Sequence, residues 1–87
     1  MKTIAEHMKD ILIENDYESI GYGDYYFLDE CAYRSTHTKL DKLSTRIKHI
    51  KILNALDKSP LFVKHLGKDG RSNRIVRRFW LKEYDAV

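Results

Sequence analysis

The segment Thr36–Leu56, THTKLDKLSTRIKHIKILNAL, decides the fold that we expect of this chain. From Thr38 onward it predicts one long helix, because apolar residues recur at i, i+3, i+7 and i+10 and so line one helical face. These residues are Leu40, Leu43, Ile47 and Ile50. Lys51 interrupts that face, so we expect the helix to end between Ile50 and Leu56.

A second, basic stripe runs beside the apolar one, one residue earlier and with the same spacing. It consists of Lys39, Lys42, Arg46 and His49, and Ser44 and Thr45 add hydroxyl groups. One residue turns a helix by about 100°, so this stripe lies clear of the predicted core. A helix anchored on one side with a cationic face free suits the major groove of DNA. The alternative is an ordinary solvated helix face.

The distribution of charge favours a polyanion partner more than the net charge of +3 does. Residues 1–33 carry two Lys against eight Asp or Glu, a net charge of −6. Residues 34–82 carry fourteen Lys or Arg against three Asp, a net charge of +11. A chain with one acidic and one strongly basic part has the electrostatic footprint of a polyanion binder.

Length and composition indicate one domain spanning residues 1–87, with residues 83–87 as a frayed tail. The single Cys31 excludes an internal disulfide framework and suits a reducing compartment. No apolar run approaches the length of a membrane span, and the N-terminus lacks the apolar region of a secretion signal. We therefore expect a cytoplasmic protein with no membrane association.

Two further helices are predicted before the long one. Thr3 and Glu6 form a capping box at the start of a helix that reaches Asn15. Asp24 is the predicted N-cap of a second helix over residues 25–34. Its buried face is expected to consist of Phe27, Leu28, Cys31 and Ala32. The segment between these helices, residues 17–23, suits either a short edge strand or a plain loop.

The C-terminal part predicts a β-hairpin. Residues 61–66 and 74–81 are rich in β-branched and aromatic side chains and flank the turn-forming segment GKDGRSN. Pro60 separates this hairpin from the long helix.

The order helix, short strand, helix, polar turn, long helix and basic hairpin resembles the winged helix-turn-helix family, an α+β fold. The resemblance is architectural and covers residues 3–82. It implies that the third helix enters the major groove of double-stranded DNA and that the hairpin, the wing, lies along the backbone or minor groove. The residues implied as DNA contacts are Thr36, His37, Lys39, Lys42, Ser44, Thr45, Arg46, His49, Lys64, Lys68, Arg71, Ser72, Asn73 and Arg74.

The small size is similar to that of phage or mobile-element regulators and excisionase-like proteins, which suggests a small transcriptional regulator. The chain departs from the family in its acidic first helix and in lacking a long C-terminal dimerisation helix. This leaves a monomer, or a homodimer formed through the first helix or the tyrosine-rich segment.

The remaining candidate sites favour no catalytic function. The histidines and Cys31 lack the spacing of metal ligands, and no nucleophile or phosphate-loop motif is present, so we expect neither an enzyme nor a cofactor. Five tyrosines lie within residues 17–33, amid acidic residues. We expect two or three of them in the core. If they are exposed instead, the alternative function is a protein-interaction module that inhibits a partner through this acidic face or the basic one.

Overall fold

The computed structural model describes residues 2–35, 40–68 and 74–85 of the chain. Helices α1 (Ile4–Glu14) and α2 (Tyr25–Arg34) flank the short strand β1 (Ser19–Gly21). A 3₁₀ turn, Leu40–Lys42, precedes helix α3 (Thr45–Asp57). Strands β2 (Phe62–Lys68) and β3 (Ile75–Leu81) follow, and a short helix α4 (Lys82–Asp85) ends the described chain.

Helix α1 begins where the capping box predicts. The Thr3 hydroxyl accepts a hydrogen bond from the Glu6 backbone N–H at 3.2 Å, and the Glu6 carboxylate accepts one from the Thr3 N–H at 2.9 Å. These reciprocal bonds satisfy two of the amides that a helix start leaves without partners. The same bonds lower the pKa of Glu6. The face of α1 that packs in the core includes Met8, Ile11 and Leu12, which are fully buried.

Helix α2 has the predicted bounds and buries the predicted residues Phe27, Leu28, Cys31 and Ala32. Asp24 occupies the predicted N-cap position, but its side chain makes no capping bond. Its carboxylate instead accepts the Gly21 backbone N–H at 2.8 Å and lies 3.5 Å from the Arg78 guanidinium. Asp24 therefore closes the turn between β1 and α2, where Gly23 adopts a positive φ of 118° that favours glycine.

The long segment is not one helix from Thr38. Residues 36–39 lie outside the described residues, and Leu40–Lys42 forms a separate 3₁₀ turn. Ser44 then has an extended backbone (φ −64°, ψ 156°), which interrupts the helical path before Thr45. Helix α3 also continues to Asp57, past the predicted end. Leu40 and Leu43 contribute to the core as predicted, but from the turn that precedes the helix.

The three strands form one antiparallel sheet in the order β1-β3-β2. Phe79 lies opposite both Ile20 and Lys64, and Leu81 lies opposite Phe62. The core-facing side of the sheet thus carries Ile20, Phe62, Phe79 and Leu81, all buried against the helices. The segment around Ile20 is a strand rather than a plain loop.

The architecture is the expected α+β fold: three helices and a C-terminal antiparallel hairpin, joined by a short first strand, in a winged-helix-like arrangement. Residues 82–85 form the short helix α4, and residues 86–87 of the expected frayed tail lie outside the described residues. Within the described residues, no helix has the length and apolar character needed to cross a membrane.

Candidate nucleic-acid interface

The outward face of α3 differs from the one that the sequence predicted. The core-facing stripe consists of His49, Ile52, Leu53 and Leu56. Ile47 and Ile50, expected in the core, are 45% and 37% exposed. Four exposed residues, spaced three or four apart along the helix, form the outward face: Ile47, Ile50, Lys51 and Asn54.

His49 is a core residue, so the prediction that it lies on an exposed basic stripe is wrong. Its side chain is only 3% exposed, and its Nε2 atom lies 2.6 Å from a carboxylate oxygen of Asp29 on α2. The Tyr25 ring stacks on the imidazole at a centroid distance of 5.6 Å. His49 therefore joins α3 to α2 and fixes which face of α3 points outward.

Helix α3 carries exposed cations around its outward face. Arg46 and Lys51 are exposed, and Lys48 is partly exposed. Lys42 in the preceding turn and Arg74 at the start of β3 are exposed too. No ion pair to a described carboxylate is recorded for any of these five cations within residues 2–35, 40–68 and 74–85. They are thus available to a partner from solvent.

The hairpin is tied to the C-terminal half of α3. Arg77 of β3 donates a hydrogen bond to the Asn54 side-chain oxygen at 3.3 Å and lies 3.8 Å from the Asp57 carboxylate. Lys64 of β2 lies 3.5 Å from the same carboxylate. In the strand pairing, Lys64 lies opposite Phe79 and Arg77 lies opposite Leu66, on the side of the sheet that faces the helices. The wing and the outward face of α3 are therefore fixed relative to each other.

Of the other predicted contacts, some are exposed in the structure and the rest have side chains that the structure does not describe. Ser44 and Thr45 are exposed at the start of α3, and Lys64 is exposed although it pairs with Asp57. Lys68 is the last residue of β2, and its side chain is not among those that the structure describes. The rest also fall outside the described residues: Thr36, His37, Lys39, Arg71, Ser72 and Asn73.

An open pocket of about 370 Å³ lies beside the start of α3. Tyr22, Tyr25 and Asp29 line it from the β1–α2 side, and Thr45, Arg46 and His49 line it from α3. Arg46 is therefore positioned between this pocket and the outward face of its helix.

The tyrosine-rich segment is on the surface, so the expectation of two or three core tyrosines is wrong. Tyr17, Tyr22, Tyr25, Tyr26 and Tyr33 are all exposed. Beside them, Arg34 binds both carboxylate oxygens of Glu14 at 2.8 and 2.9 Å and also contacts Glu30. These bonds lower the pKa of Glu14. Acidic residues on this side of the chain are thus partly neutralised within the fold.

Cys31 is a buried core residue, as its position on the apolar face of α2 predicted. Burial raises the pKa of its thiol to about 12, which keeps it protonated and poorly nucleophilic at neutral pH. Among the residues that the structure describes, no three His, Cys, Asp or Glu side chains cluster closely enough to hold a metal ion.

Sequence reasoning missed Ile47, Ile50, Lys51 and Asn54 as surface residues of the third helix. The signal that could have revealed them is Ile52, Leu53 and Leu56, which share a stripe rotated away from Ile47. Lys51, which interrupts the stripe expected in the core, marks the same rotation.

No protein-family model matches the chain, and no curated protein or solved structure is detectably similar to it.

Proposed function

We propose that this protein binds double-stranded DNA as a small transcriptional regulator, with the outward face of α3 in the major groove and the hairpin as a wing on the flanking backbone. Asn54, Ile47 and Ile50 are the candidate base contacts. The candidate phosphate contacts are Lys42, Ser44, Thr45, Arg46, Lys48, Lys51, Lys64 and Arg74.

The arrangement of side chains around α3 carries this proposal. At about 100° per residue, Ile50, Asn54 and Ile47 fall within an arc of about 60°. Arg46 borders that arc on one side, and Lys51 and Lys48 border it on the other. A helix in the major groove needs this order, because base edges lie at the centre of the groove and phosphates line both of its walls.

The pairing of charges supports the same surface. The carboxylates of Asp10, Glu14, Glu30, Asp24 and Asp57 each have a cationic partner within the fold. The cations around α3 have no such recorded partner among the described residues. Cations without an ion pair among the described residues therefore lie around α3 and at Arg74 beside the hairpin, on the surface that a winged-helix protein presents to DNA.

The test is fluorescence anisotropy of a labelled mixed-sequence duplex, titrated at several salt concentrations. About six phosphate contacts give a log–log slope of affinity against salt near −5. Arg46→Ala should reduce that slope by about one and weaken binding to all sequences. Lys82→Ala removes an exposed cation at the end of β3 away from the wing and should leave the slope unchanged. Absence of binding at low salt contradicts the proposal.

A second candidate function, a protein-interaction module that inhibits its partner, is favoured by the five exposed tyrosines. Tyr26 and Tyr33 are the most exposed of them and both lie on α2. Tyrosine combines a large contact area with a polar group, which suits protein interfaces. Under this function, Tyr26→Ala and Tyr33→Ala would abolish biological activity in the cell, while Arg46→Ala would be tolerated. Under DNA binding the two outcomes are exchanged.

A further inference from the structure

We infer that the DNA site of this protein contains thymines at the positions that α3 faces, and that Ile47 and Ile50 recognise their methyl groups. This inference rests on the proposed DNA-binding function and specifies its target.

The exposure of the two isoleucines is the first observation. Ile47 and Ile50 are 45% and 37% exposed on the face of α3 opposite the buried stripe. They lie at the centre of a helix face whose edges are cationic, where a solvated face would carry polar residues. Two β-branched apolar side chains in that place form a small apolar surface that an apolar group of the bound partner can contact.

The major groove offers one apolar group at base edges, the C5 methyl of thymine. Guanine and cytosine present hydrogen-bonding groups and no methyl group at that edge. An isoleucine pressed against them would remove their water without replacing its hydrogen bonds, which costs free energy. Ile47 and Ile50 therefore select for thymine and also against G·C pairs at the positions they contact.

Asn54 lies within the same arc and points to the same base pairs. An asparagine side chain can pair with the N6 and N7 atoms of adenine. Arg77 donates to its oxygen at 3.3 Å and so restricts the orientation of the amide. Arg77 is thus a positioning residue for Asn54. Isoleucine for thymine and asparagine for adenine are two different contacts that both read A·T pairs.

The experiment compares duplexes that differ only in this methyl group. Short duplexes of alternating A·T sequence are made with thymidine or with deoxyuridine, and their affinities are measured by fluorescence anisotropy at one salt concentration. Each buried methyl contributes about a fourfold change in affinity. For the wild-type protein we expect the thymidine duplex to bind about four- to sixteenfold more tightly, for one or two contacts.

Ile47→Ala should bring the ratio of the two affinities towards one, and Ile50→Ala should reduce it. Neither variant changes the charge, so the slope of affinity against salt should remain that of the wild type. Ile13→Ala is the matched control, because Ile13 is also 46% exposed but lies on α1. Comparing ratios within each variant cancels effects of deoxyuridine on the duplex itself.

The possible outcomes distinguish a failure of this inference from a failure of the proposed DNA-binding function. Equal binding of the two duplexes by the wild-type protein overturns the inference and leaves DNA binding intact. A thymidine preference that persists in both Ile47→Ala and Ile50→Ala overturns the assignment to these residues. If neither duplex binds at low salt, the proposed function itself fails. A circular-dichroism melt of each variant shows that it is folded before its ratio is interpreted.

Discussion

At the scale of single residues, the histidine at position 49 shows how one side chain sets the orientation of a helix. Its imidazole is enclosed between the Asp29 carboxylate and the Tyr25 ring. A polar group in the core is stable only where it is hydrogen-bonded, and Asp29 supplies that bond. With His49 facing α2, Ile47 and Ile50 lie about 160° and 100° away from it around the helix, and both are exposed.

We predict that His49→Ala lowers the free energy of unfolding by about 2 kcal/mol, because it leaves a cavity and removes the hydrogen bond to Asp29. Urea denaturation followed by circular dichroism measures this change. Arg46→Ala serves as the comparison, since Arg46 is exposed on the same helix and its loss should cost no more than about 0.5 kcal/mol. Equal effects of the two substitutions would contradict the structural role of His49.

Cys31 leads to a second prediction at this scale. With its pKa raised to about 12, the buried thiol should react with an aromatic disulfide reagent at pH 8 only when the protein unfolds. The labelling rate should therefore rise with urea in parallel with the unfolded fraction. Above the ordinary thiol pKa near 9, the unfolded chain loses this proton and the folded chain keeps it, so stability falls as pH rises towards 12. Rapid labelling of Cys31 in native buffer would contradict the prediction that its thiol is buried and protonated.

At the scale of elements, the helix starts of α1 and α3 offer a matched comparison. Thr3 makes its capping bond, whereas Ser44 occupies the N-cap of α3 without one. We predict that Thr3→Ala lowers the free energy of unfolding by about 1 kcal/mol and that Ser44→Ala changes it by less than about 0.5 kcal/mol. Thermal unfolding by differential scanning calorimetry resolves this difference. A larger loss at Ser44 would mean that its hydroxyl caps α3 after all.

The elements that the sequence predicted well are those with local signals. The capping box at Thr3, the buried face of α2 and the β-forming residues around Phe79 each depend on neighbours within a few positions. The start of α3 was misplaced because Leu40 and Leu43 have helical spacing although they belong to a separate turn. The wrong face of α3 was predicted to be buried, because the burial of His49 depends on its hydrogen bond to Asp29, twenty positions away. A single-sequence pattern carries no information on such a pairing.

For the same reason, the sequence predicted the exposed cations of the candidate site but not the other residues of its surface. Lys42, Thr45 and Arg46 were expected on the surface and are exposed. The base-facing residues that we now propose, Ile47 and Asn54, appear only after the phase of α3 is known. A cation on a helix signals exposure by itself, whereas an isoleucine does so only when the core stripe lies elsewhere.

At the scale of the whole molecule, the fold separates two surfaces of different chemistry. Around the outward face of α3 and at Arg74 beside β3, cations make no ion pair among the described residues, and two isoleucines of α3 are exposed. Helix α2 instead presents exposed tyrosines, with Arg34 bound to Glu14 and Glu30. A winged-helix protein that binds DNA uses the first surface and leaves the second in solvent, so the position of a bound duplex distinguishes the two candidate functions.

We predict that a bound duplex alters the amide chemical shifts of α3 and the hairpin, from Thr45 to Asn54 and around Arg74, in a two-dimensional NMR titration. The amide chemical shifts of Tyr26 and Tyr33 should change little, because the outward face of α2 would remain in solvent. The physical reason is the location of the cations, which draw the phosphate backbone to one side of the molecule. Arg46→Ala should reduce the shift changes at a given DNA concentration, and Lys82→Ala should not. Shift changes centred on α2 instead would place the duplex on the tyrosine surface and overturn the proposed orientation of α3 in the groove.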